Sequence, residues 1–246
     1  MRVLVTGHKG YIGTVLVPML QAEGHKVVGL DSDLYRSCTF TDGEVPIPAL
    51  RKDVRDAELA DLRGLDAIVH LAALSNDPLG HLNERCTYDI NHLGSVRLAA
   101  AAKKAGVPRF LFASSCSLYG AAGDQMLNED AAFNPVTSYG TSKVLVEADV
   151  SKLADDTFSP TYLRNATAYG LSPRLRSDIV VNNLVGVAFT TGEIVMQSDG
   201  IKNHWTIDRY AGLSERHPGL IAGVLYRDFH RSTDDATVVV LRARTP

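Results

Sequence analysis

Residues 3–13 read VLVTGHKGYIG, a short apolar run followed by three glycines at Gly7, Gly10 and Gly13. The run is typical of a buried β-strand, and residues 14–23 continue with a helical pattern. Glycine has no Cβ, so a glycine-rich turn lets other groups approach the backbone closely. The stretch therefore predicts a strand-turn-helix unit whose turn is open to a ligand.

Further short apolar runs alternate with longer helical patterns along the chain. Runs such as AIVHLA and FLFAS do not alternate with polar residues, which indicates strands buried on both faces. Such strands require helices above and below a parallel sheet, so the predicted fold class is α/β, a Rossmann-like doubly wound parallel sheet. The predicted strands are Arg2–Thr6, Lys26–Asp31, Asp66–Ala72, Arg109–Ser114 and Pro160–Arg164, and the predicted helices are Thr14–Glu23, Asn83–Lys104 and Val136–Ala154.

The composition is that of an ordinary globular protein, with 246 residues of which 45% are hydrophobic and 22% are charged. We find no apolar run of membrane-spanning length and no signal-peptide pattern, and we therefore expect a cytoplasmic protein without a membrane partner. The three cysteines, Cys38, Cys86 and Cys116, lack the spacing of a disulfide framework or a zinc site, so we expect no metal. The net charge of −3, with both signs interspersed, favours a small-molecule ligand over nucleic acid.

The glycine turn predicts a dinucleotide site, with contacts at Gly7, Gly10, Tyr11, Ile12 and Gly13. A pyrophosphate there would face backbone N–H groups and the positive end of the helix dipole. Asp31 closes the second predicted strand, eighteen residues after Gly13. Its carboxylate can accept hydrogen bonds from both ribose hydroxyls and would repel a 2′-phosphate, so NAD is expected in preference to NADP. The alternatives are a turn that holds no ligand and an Asp31 that only caps a helix.

Further cofactor contacts are expected where the next strands end and within a helix. An aspartate and a backbone amide after ALRK could bind the adenine edge, although the aspartate could equally belong to a turn. Small residues at LAA would let a ribose and a phosphate lie close. An asparagine inside a helical pattern makes either a structural hydrogen bond or a cofactor contact, and both alternatives stand. These candidates are Asp53, Val54, Leu71, Ala72, Ala73 and Asn91, and Tyr139 and Lys143 are expected to contact the cofactor as well.

Three residues are predicted to be catalytic. Tyr139 and Lys143 are four residues apart in SYGTSK, which places them on one face of the third predicted helix. A tyrosine hydroxyl has an ordinary pKa of about 10, and a nearby ammonium favours its ionised form. Ser115 lies at the carboxyl end of the strand FLFASS, where open α/β sheets bind ligands, and could hydrogen-bond a substrate hydroxyl or carbonyl.

As a set, GHKGYIG, Asp31, LAA, Asn91, SSCSLYG and YGTSK resemble the extended short-chain dehydrogenase/reductases, the NAD-dependent epimerase/dehydratase family, over about residues 1–200. The resemblance implies NAD as cofactor, a nucleotide-sugar substrate, hydride transfer at a sugar carbon, and a homodimer formed by helices 83–104 and 137–154. It assigns the family's catalytic residues to Ser115, Tyr139 and Lys143 and its ribose acid to Asp31. It also implies substrate contacts at Ser115, Thr167, Asn182 and Asn183.

Cys116 and Ser117 stand where dehydratases of that family carry an Asp-Glu pair. Neither side chain is a carboxylate, so the resemblance implies an epimerase or a ketoreductase rather than a dehydratase. A non-catalytic NAD-binding protein with an incomplete substrate lobe is the alternative.

The domain organisation is expected to follow the reach of the resemblance. It predicts an NAD-binding Rossmann domain over residues 1–170, the start of a truncated or atypical substrate lobe over 171–200 and an atypical tail over 201–246. The end of the tail loosely resembles the C-terminal end of bacterial metal-dependent serine/threonine phosphatases, in which an aspartate such as Asp234 or Asp235 precedes the last strand. The rest of a phosphatase is absent from this sequence, so no catalytic role is expected for the tail.

Overall fold

The computed structural model describes residues 1–39, 45–75, 80, 82–120, 127–191, 193–195 and 240–242. Contacts divide the chain into two compact units, Met1–Leu175 and Arg176–Pro246. Apart from residues 240–242, the predicted atypical tail lies outside the described residues.

The first unit is built on a six-stranded sheet with the strand order β3-β2-β1-β4-β5-β6. Every pairing in this sheet is parallel, which confirms the predicted fold class. The strands are β1 (Arg2–Thr6), β2 (Lys26–Asp31), β3 (Ala49–Arg51), β4 (Ala67–His70), β5 (Arg109–Ser115) and β6 (Ser159–Asn165).

Apart from the four-residue helix Leu59–Leu62, which was not predicted, the helices of this unit lie close to the predicted ranges. They are α1 (Gly13–Ala22), α2 (Leu59–Leu62), α3 (Glu84–Thr87), α4 (Ser95–Lys104) and α5 (Ser138–Ser151). The predicted helix Asn83–Lys104 is present as α3 and α4, joined by a π-helical segment at Tyr88–Gly94. Short 3₁₀ turns lie at Arg36–Cys38, Val54–Asp56 and Cys116–Tyr119.

Alternate residues of the central strands enter two separate apolar clusters. In β1, Leu4 packs with Ile68, Phe110 and other residues in one cluster. Its neighbours Val3 and Val5 pack in a second cluster with residues that include Val17 of α1. Because successive side chains of a strand point to opposite faces, the two clusters occupy the two faces of the sheet. Burial on both faces explains the unbroken apolar runs in the sequence.

Two strands differ from the sequence prediction by more than one residue at an end. β4 ends at His70 rather than Ala72, because the amide of Ala72 donates to the side-chain Oγ1 of Thr6 at 3.3 Å instead of continuing the strand ladder. The prediction gave no strand at Ala49–Arg51, where β3 pairs with the end of β2. Three residues of an edge strand, none fully buried, carry too little apolar pattern to be recognised.

The second unit contains α6 (Val180–Thr191) and an antiparallel pair of short strands, β7 (Glu193–Val195) and β8 (Val240–Arg242). Glu193 stands opposite Arg242 in this pair. Among the described residues of both units, no helix has the length and apolar character needed to cross a membrane.

Candidate active site

The glycine turn after β1 packs tightly against itself and against the end of β4. Gly7 has a φ of +69°, a conformation that favours glycine. A Cβ on Gly7 would lie 2.8 Å from the backbone nitrogen of Ala72, and a Cβ on Gly13 would lie 2.3 Å from the carbonyl oxygen of Gly7. Side chains at these two positions would therefore force the turn apart. Gly10 lies between them and is exposed, so the turn presents backbone rather than side chain to its surroundings.

Asp31 ends β2 beside this turn. Its Oδ2 accepts a hydrogen bond from the backbone N–H of Lys9 at 3.0 Å, and its Oδ1 accepts one from the backbone N–H of Asp33 at 2.8 Å. A carboxylate has about four acceptor positions, so these two bonds leave capacity for the two hydroxyls of a ribose. The exposed turn and the half-buried carboxylate next to it fit the adenosine end of NAD.

Of the remaining predicted residues of the turn, Tyr11 anchors it to a later segment of the chain. The hydroxyl of Tyr11 donates to the carbonyl oxygen of Gly170 at 2.7 Å, and the hydroxyl of Ser172 donates to the carbonyl oxygen of Tyr11 at 2.8 Å. Ile12 directly precedes α1 and is exposed. The segment after β6 thus crosses back to the glycine turn, a contact that no local sequence pattern signals.

Asp53 and Val54 follow β3 at the same edge of the sheet. The carboxylate of Asp53 accepts from the backbone N–H of Arg55 and forms an ion pair with its guanidinium, both at 2.9 Å. The hydrogen bond from Arg55 lowers the pKa of Asp53 below its ordinary value despite partial burial. Arg55 also pairs with Asp89 at 2.5 Å, and Val54 is buried in the core. The Asp53 carboxylate thus caps the 3₁₀ turn, which is the turn role left open by the sequence, and a contact of Asp53 or Val54 with the cofactor stays a prediction.

The LAA segment follows β4 beside the glycine turn. Leu71 donates its backbone N–H to the carbonyl oxygen of Thr6 at 3.2 Å, and the Ala72 amide bonds the Thr6 hydroxyl. Leu71, Ala72 and Ala73 are all partly exposed. The predicted small-residue segment therefore borders the turn, as a cofactor contact requires.

Asn91 lies in the π-helical segment and is 1% exposed. Its Oδ1 accepts from the backbone N–H of Leu74 at 2.7 Å, and its Nδ2 donates to the carbonyl oxygen of Leu74 at 3.0 Å. The Asn91 side chain thus bonds both the backbone N–H and the carbonyl oxygen of Leu74, as a neighbouring strand would do. Of the two roles proposed from the sequence, the structural hydrogen bond is the one that this geometry supplies.

We expect Asn91→Ala to lower the free energy of unfolding by about 2 kcal/mol, because it leaves the partly buried amide and carbonyl of Leu74 without these partners. Urea unfolding of the variant and the wild type measures the difference. Unchanged unfolding together with weaker NAD binding would contradict the structural role and favour a direct cofactor contact.

Lys143 is 3% exposed on α5, one turn after Tyr139. Its Nζ donates to the carbonyl oxygen of Ala113 in β5 at 2.7 Å and lies 4.4 Å from the ring centre of Phe112. The same Nζ lies 5.4 Å from the ring centre of Tyr139. The predicted pair therefore shares one face of the helix, with the ammonium fixed against β5.

Burial lowers the pKa of Lys143 to about 7, and the negative charge of Glu147 opposes this effect. Glu147 lies one further turn along α5 and is itself buried. Its carboxylate accepts from the hydroxyl of Ser114 at 2.6 Å and pairs with the guanidinium of Arg164 at 2.8 Å. A buried carboxylate held by two donors thus supports the ammonium form of Lys143.

Ser115 caps the 3₁₀ turn that follows β5. Its hydroxyl accepts from the backbone N–H of Ser117 at 3.1 Å and donates to the Ser117 hydroxyl at 3.0 Å. A Cβ on Gly140 would lie 2.9 Å from the carbonyl oxygen of Ser117, so glycine next to Tyr139 lets the start of α5 approach this turn. The contact brings the segment that carries Ser115 and the segment that carries Tyr139 together.

The predicted substrate contacts fall into different parts of the chain. Thr167 is exposed and lies two residues beyond β6. Asn182 and Asn183 belong to α6 of the second unit, where the Asn182 side chain donates to the carbonyl oxygen of Arg176 at 3.0 Å. For these three residues a role in substrate binding stays a prediction.

A buried polar chain beneath the glycine turn was not predicted from the sequence. Thr6 Oγ1 lies 2.6 Å from His70 Nδ1, and His70 Nε2 lies 2.8 Å from Ser95 Oγ, which donates to the carbonyl oxygen of Asn91. Burial, helped by the charge of Lys143, lowers the pKa of His70 to about 3, so the imidazole is neutral at physiological pH. Neutral His70 joins the ends of β1 and β4 to α4.

The chain is similar to known proteins in sequence and in fold. One similar protein is the UDP-glucose 4-epimerase of Neisseria meningitidis serogroup C, 36% identical over 179 residues, which are 66% of this chain and 52% of that protein. The chain spans about half the length of the curated relatives it matches.

Two solved structures share the fold and part of the sequence. MoeE5 in complex with UDP-glucuronic acid and NAD has a TM-score of 0.66 and 31% identity, covering 76% of this chain and 61% of its own. The NAD-dependent NDP-hexosamine 5,6-dehydratase TunA, involved in tunicamycin biosynthesis, has a TM-score of 0.72 and 28% identity, covering 82% and 65%.

Residues 3–203 match the NAD dependent epimerase/dehydratase family, which covers most of the chain, including the glycine turn, Asp31, Ser115, Tyr139 and Lys143. The family description confirms, at the level of the family, the cofactor that the glycine turn and Asp31 predict. The match also confirms the resemblance found in the motifs: the chain belongs to the NAD dependent epimerase/dehydratase family.

Proposed function

We propose that this chain binds NAD and acts on a nucleotide sugar as an epimerase or a ketoreductase. The observation that carries the proposal is the arrangement on α5 and β5. Lys143 is buried, donates to the carbonyl of Ala113 and lies 5.4 Å from the ring centre of Tyr139, while Gly140 allows α5 to approach the turn after Ser115. The site combines three groups suited to oxidising or reducing a sugar carbon. They are an acid–base tyrosine, a cation beside it and a hydroxyl at the carboxyl end of a parallel strand.

When bound, NAD supplies the group that accepts a hydride from, or returns it to, the sugar carbon. Tyr139 takes the proton from the sugar hydroxyl as a general base and gives it back as a general acid. Lys143, through its positive charge, favours the ionised form of Tyr139. Ser115 orients the same hydroxyl or carbonyl by a hydrogen bond. Its Oγ keeps one acceptor position for a sugar hydroxyl, and it must release the Ser117 hydroxyl only to donate to a carbonyl.

The residues after Ser115 favour this reaction class over dehydration. Neither Cys116, which is exposed, nor Ser117, whose hydroxyl is bonded to Ser115, carries a carboxylate. These two positions therefore offer no carboxylate to remove a proton and expel a hydroxyl. The similar enzymes include both a UDP-glucose 4-epimerase and a 5,6-dehydratase, so the reaction class is decided by experiment.

The first experiment analyses the small molecules released from the purified full chain by mass spectrometry and follows the conversion of UDP-glucose and UDP-galactose with added NAD. Release of NAD, or conversion of either sugar, supports the proposal. Absence of NAD binding in a calorimetric titration contradicts it. NAD binding with no conversion of any of a panel of UDP- and dTDP-sugars favours a non-catalytic NAD-binding protein.

Asp31→Ala is expected to narrow the difference between the affinities for NAD and NADP by about tenfold. The variant loses the carboxylate that accepts from ribose hydroxyls and repels a 2′-phosphate. Calorimetric titration of both cofactors measures the ratio of the two affinities. Asp56→Ala, at an exposed aspartate away from Asp31 and the glycine turn, is the control. Equal binding of NAD and NADP by the wild type would refute the role of Asp31.

The homodimer through helices 83–104 and 137–154 belongs to the same proposal. Light scattering of the full chain measures it, and a monomeric mass at micromolar concentration would contradict it.

A further inference from the structure

Two carboxylates and two cations form a compact group at the end of β2. Asp31 accepts from the backbone N–H groups of Lys9 and Asp33. The carboxylate of Asp33 in turn pairs with the ammonium of Lys9 at 2.9 Å and with the guanidinium of Arg174 at 3.0 Å. The group therefore carries one negative charge on each aspartate and one positive charge on each of the two basic residues.

Asp33 is the centre of this charge group. Its side chain and that of Arg174 are each only 6% exposed, whereas that of Lys9 is 29% exposed. Burial acts to raise the pKa of Asp33, but the hydrogen bond from Lys9 and the charges of Lys9 and Arg174 outweigh it and hold this pKa below its ordinary value. Asp33 is therefore ionised at neutral pH, and its charge is balanced by both basic residues together.

Arg174 is brought to this place by contacts of its own segment. Its backbone N–H donates to the hydroxyl of Ser172 at 3.2 Å, and that hydroxyl donates to the carbonyl oxygen of Tyr11 in the glycine turn. The backbone of Arg174 is thus held next to the turn by residues other than Asp33. Loss of the Asp33 charge would leave this backbone anchor in place, so the guanidinium would stay within reach of the turn.

We infer that Asp33 is a second determinant of the preference for NAD, because it binds Lys9 and Arg174 and so keeps two cations beside Asp31 from pairing with a 2′-phosphate. The inference rests on the proposed binding of NAD and extends it. Asp31 would repel the 2′-phosphate directly, whereas Asp33 withholds the groups that would attract it. Both carboxylates are then needed for discrimination between the two cofactors.

The chemistry of the two cations supports this role. Ammonium and guanidinium groups are the usual protein partners of phosphate, and a guanidinium can bind it through two parallel hydrogen bonds. In the wild type the four charges sum to zero. Replacing Asp33 by asparagine leaves a sum of +1 beside the expected ribose position, and replacing Asp31 as well leaves +2. Attraction for a 2′-phosphate grows in the same order.

Asparagine is the suitable replacement at position 33. The residue has a φ of +55°, and Asn and Asp adopt this left-handed conformation more readily than other side chains. Asp33→Asn therefore removes the charge and keeps both the backbone conformation and the size of the side chain.

The test measures the affinities of the full chain for NAD and NADP by calorimetry. We expect Asp33→Asn to tighten NADP binding about tenfold and to change NAD binding less than about threefold. Adding Lys9→Met to Asp33→Asn should remove most of that gain, and Asp31→Asn with Asp33→Asn should bind NADP more tightly than either single variant. Asp56→Asn, at the exposed aspartate, should leave both affinities unchanged.

Lys9→Met alone provides a second measurement if Asp33→Asn does not fold. This variant removes one cation and leaves Asp33 paired with Arg174. It should therefore weaken NADP binding about threefold and leave the affinity for NAD unchanged. Parallel loss of both affinities in Asp33→Asn, or unchanged NADP binding in both variants, overturns the inference while the proposed function stands. A wild type that binds neither cofactor overturns the proposed function, and with it this inference.

Discussion

Tyr139→Phe is expected to convert its nucleotide sugar about 10²- to 10⁴-fold more slowly than the wild type, with nearly unchanged affinity for NAD. The variant keeps the ring that lies 5.4 Å from Lys143 Nζ and loses only the hydroxyl. A general acid–base group acts on the proton of the reacting hydroxyl, so its loss lowers the rate of the chemical step. The packing of α5 and the glycine turn are left intact.

The measurement is the steady-state rate with saturating NAD and nucleotide sugar, together with calorimetric titration of NAD. Tyr162→Phe is a matched control, because the Tyr162 hydroxyl is bonded to Ser151 at the far end of α5 and its loss should leave the rate unchanged. Full activity of Tyr139→Phe would rule out the acid–base role of this tyrosine.

The parts of the fold that the sequence predicts are those with local patterns. The strand, glycine turn and helix over residues 2–22 follow from an apolar run, glycine spacing and helical periodicity, all within one stretch. The parallel direction of the strands follows from apolar runs that are buried on both faces, which require helices above and below the sheet. Tyr139 and Lys143 were found because their spacing of four residues places them together on any α-helix.

Contacts between distant parts of the chain have no such local signal. Asp33 and Arg174 are 141 residues apart, and neither lies in a sequence motif that predicts their ion pair. Glu147 does have a local signal, because it follows Lys143 by four residues and so lies on the same helix face. Its partner Arg164 lies in β6 and has none. Gly140 is part of YGTSK, but the reason for glycine there, the close approach to Ser117, depends on tertiary packing.

Lys143→Met is expected to lower the rate at least about 10²-fold and also to weaken NAD binding. The variant keeps a long apolar side chain against Phe112 but loses the charge next to Tyr139 and the hydrogen bond to Ala113. In the proposed mechanism the ammonium favours ionised Tyr139, and we expect the same ammonium to contact the ribose of the bound cofactor. The combined loss distinguishes Lys143 from Tyr139, whose variant should affect the rate alone.

The pH dependence of stability offers an independent test of the burial of Lys143. Its pKa is about 7 in the folded chain, against an ordinary value of 10.5. Between these values the unfolded chain holds a proton that the folded chain has released, so this residue makes folding more favourable as the pH rises. From pH 7 to pH 9 the contribution to the free energy of unfolding is about 2 kcal/mol.

Urea unfolding of nucleotide-free protein at pH 7 and pH 9 measures this contribution as the difference between the wild type and Lys143→Met. Lys104→Met, at an exposed lysine of α4, is the control and should keep the pH dependence of the wild type. If Lys143→Met also keeps it, Lys143 titrates near its ordinary pKa. It would then be charged at neutral pH without the help of Glu147, and the buried pair of Glu147 and Arg164 would hold α5 against β6 rather than support the ammonium.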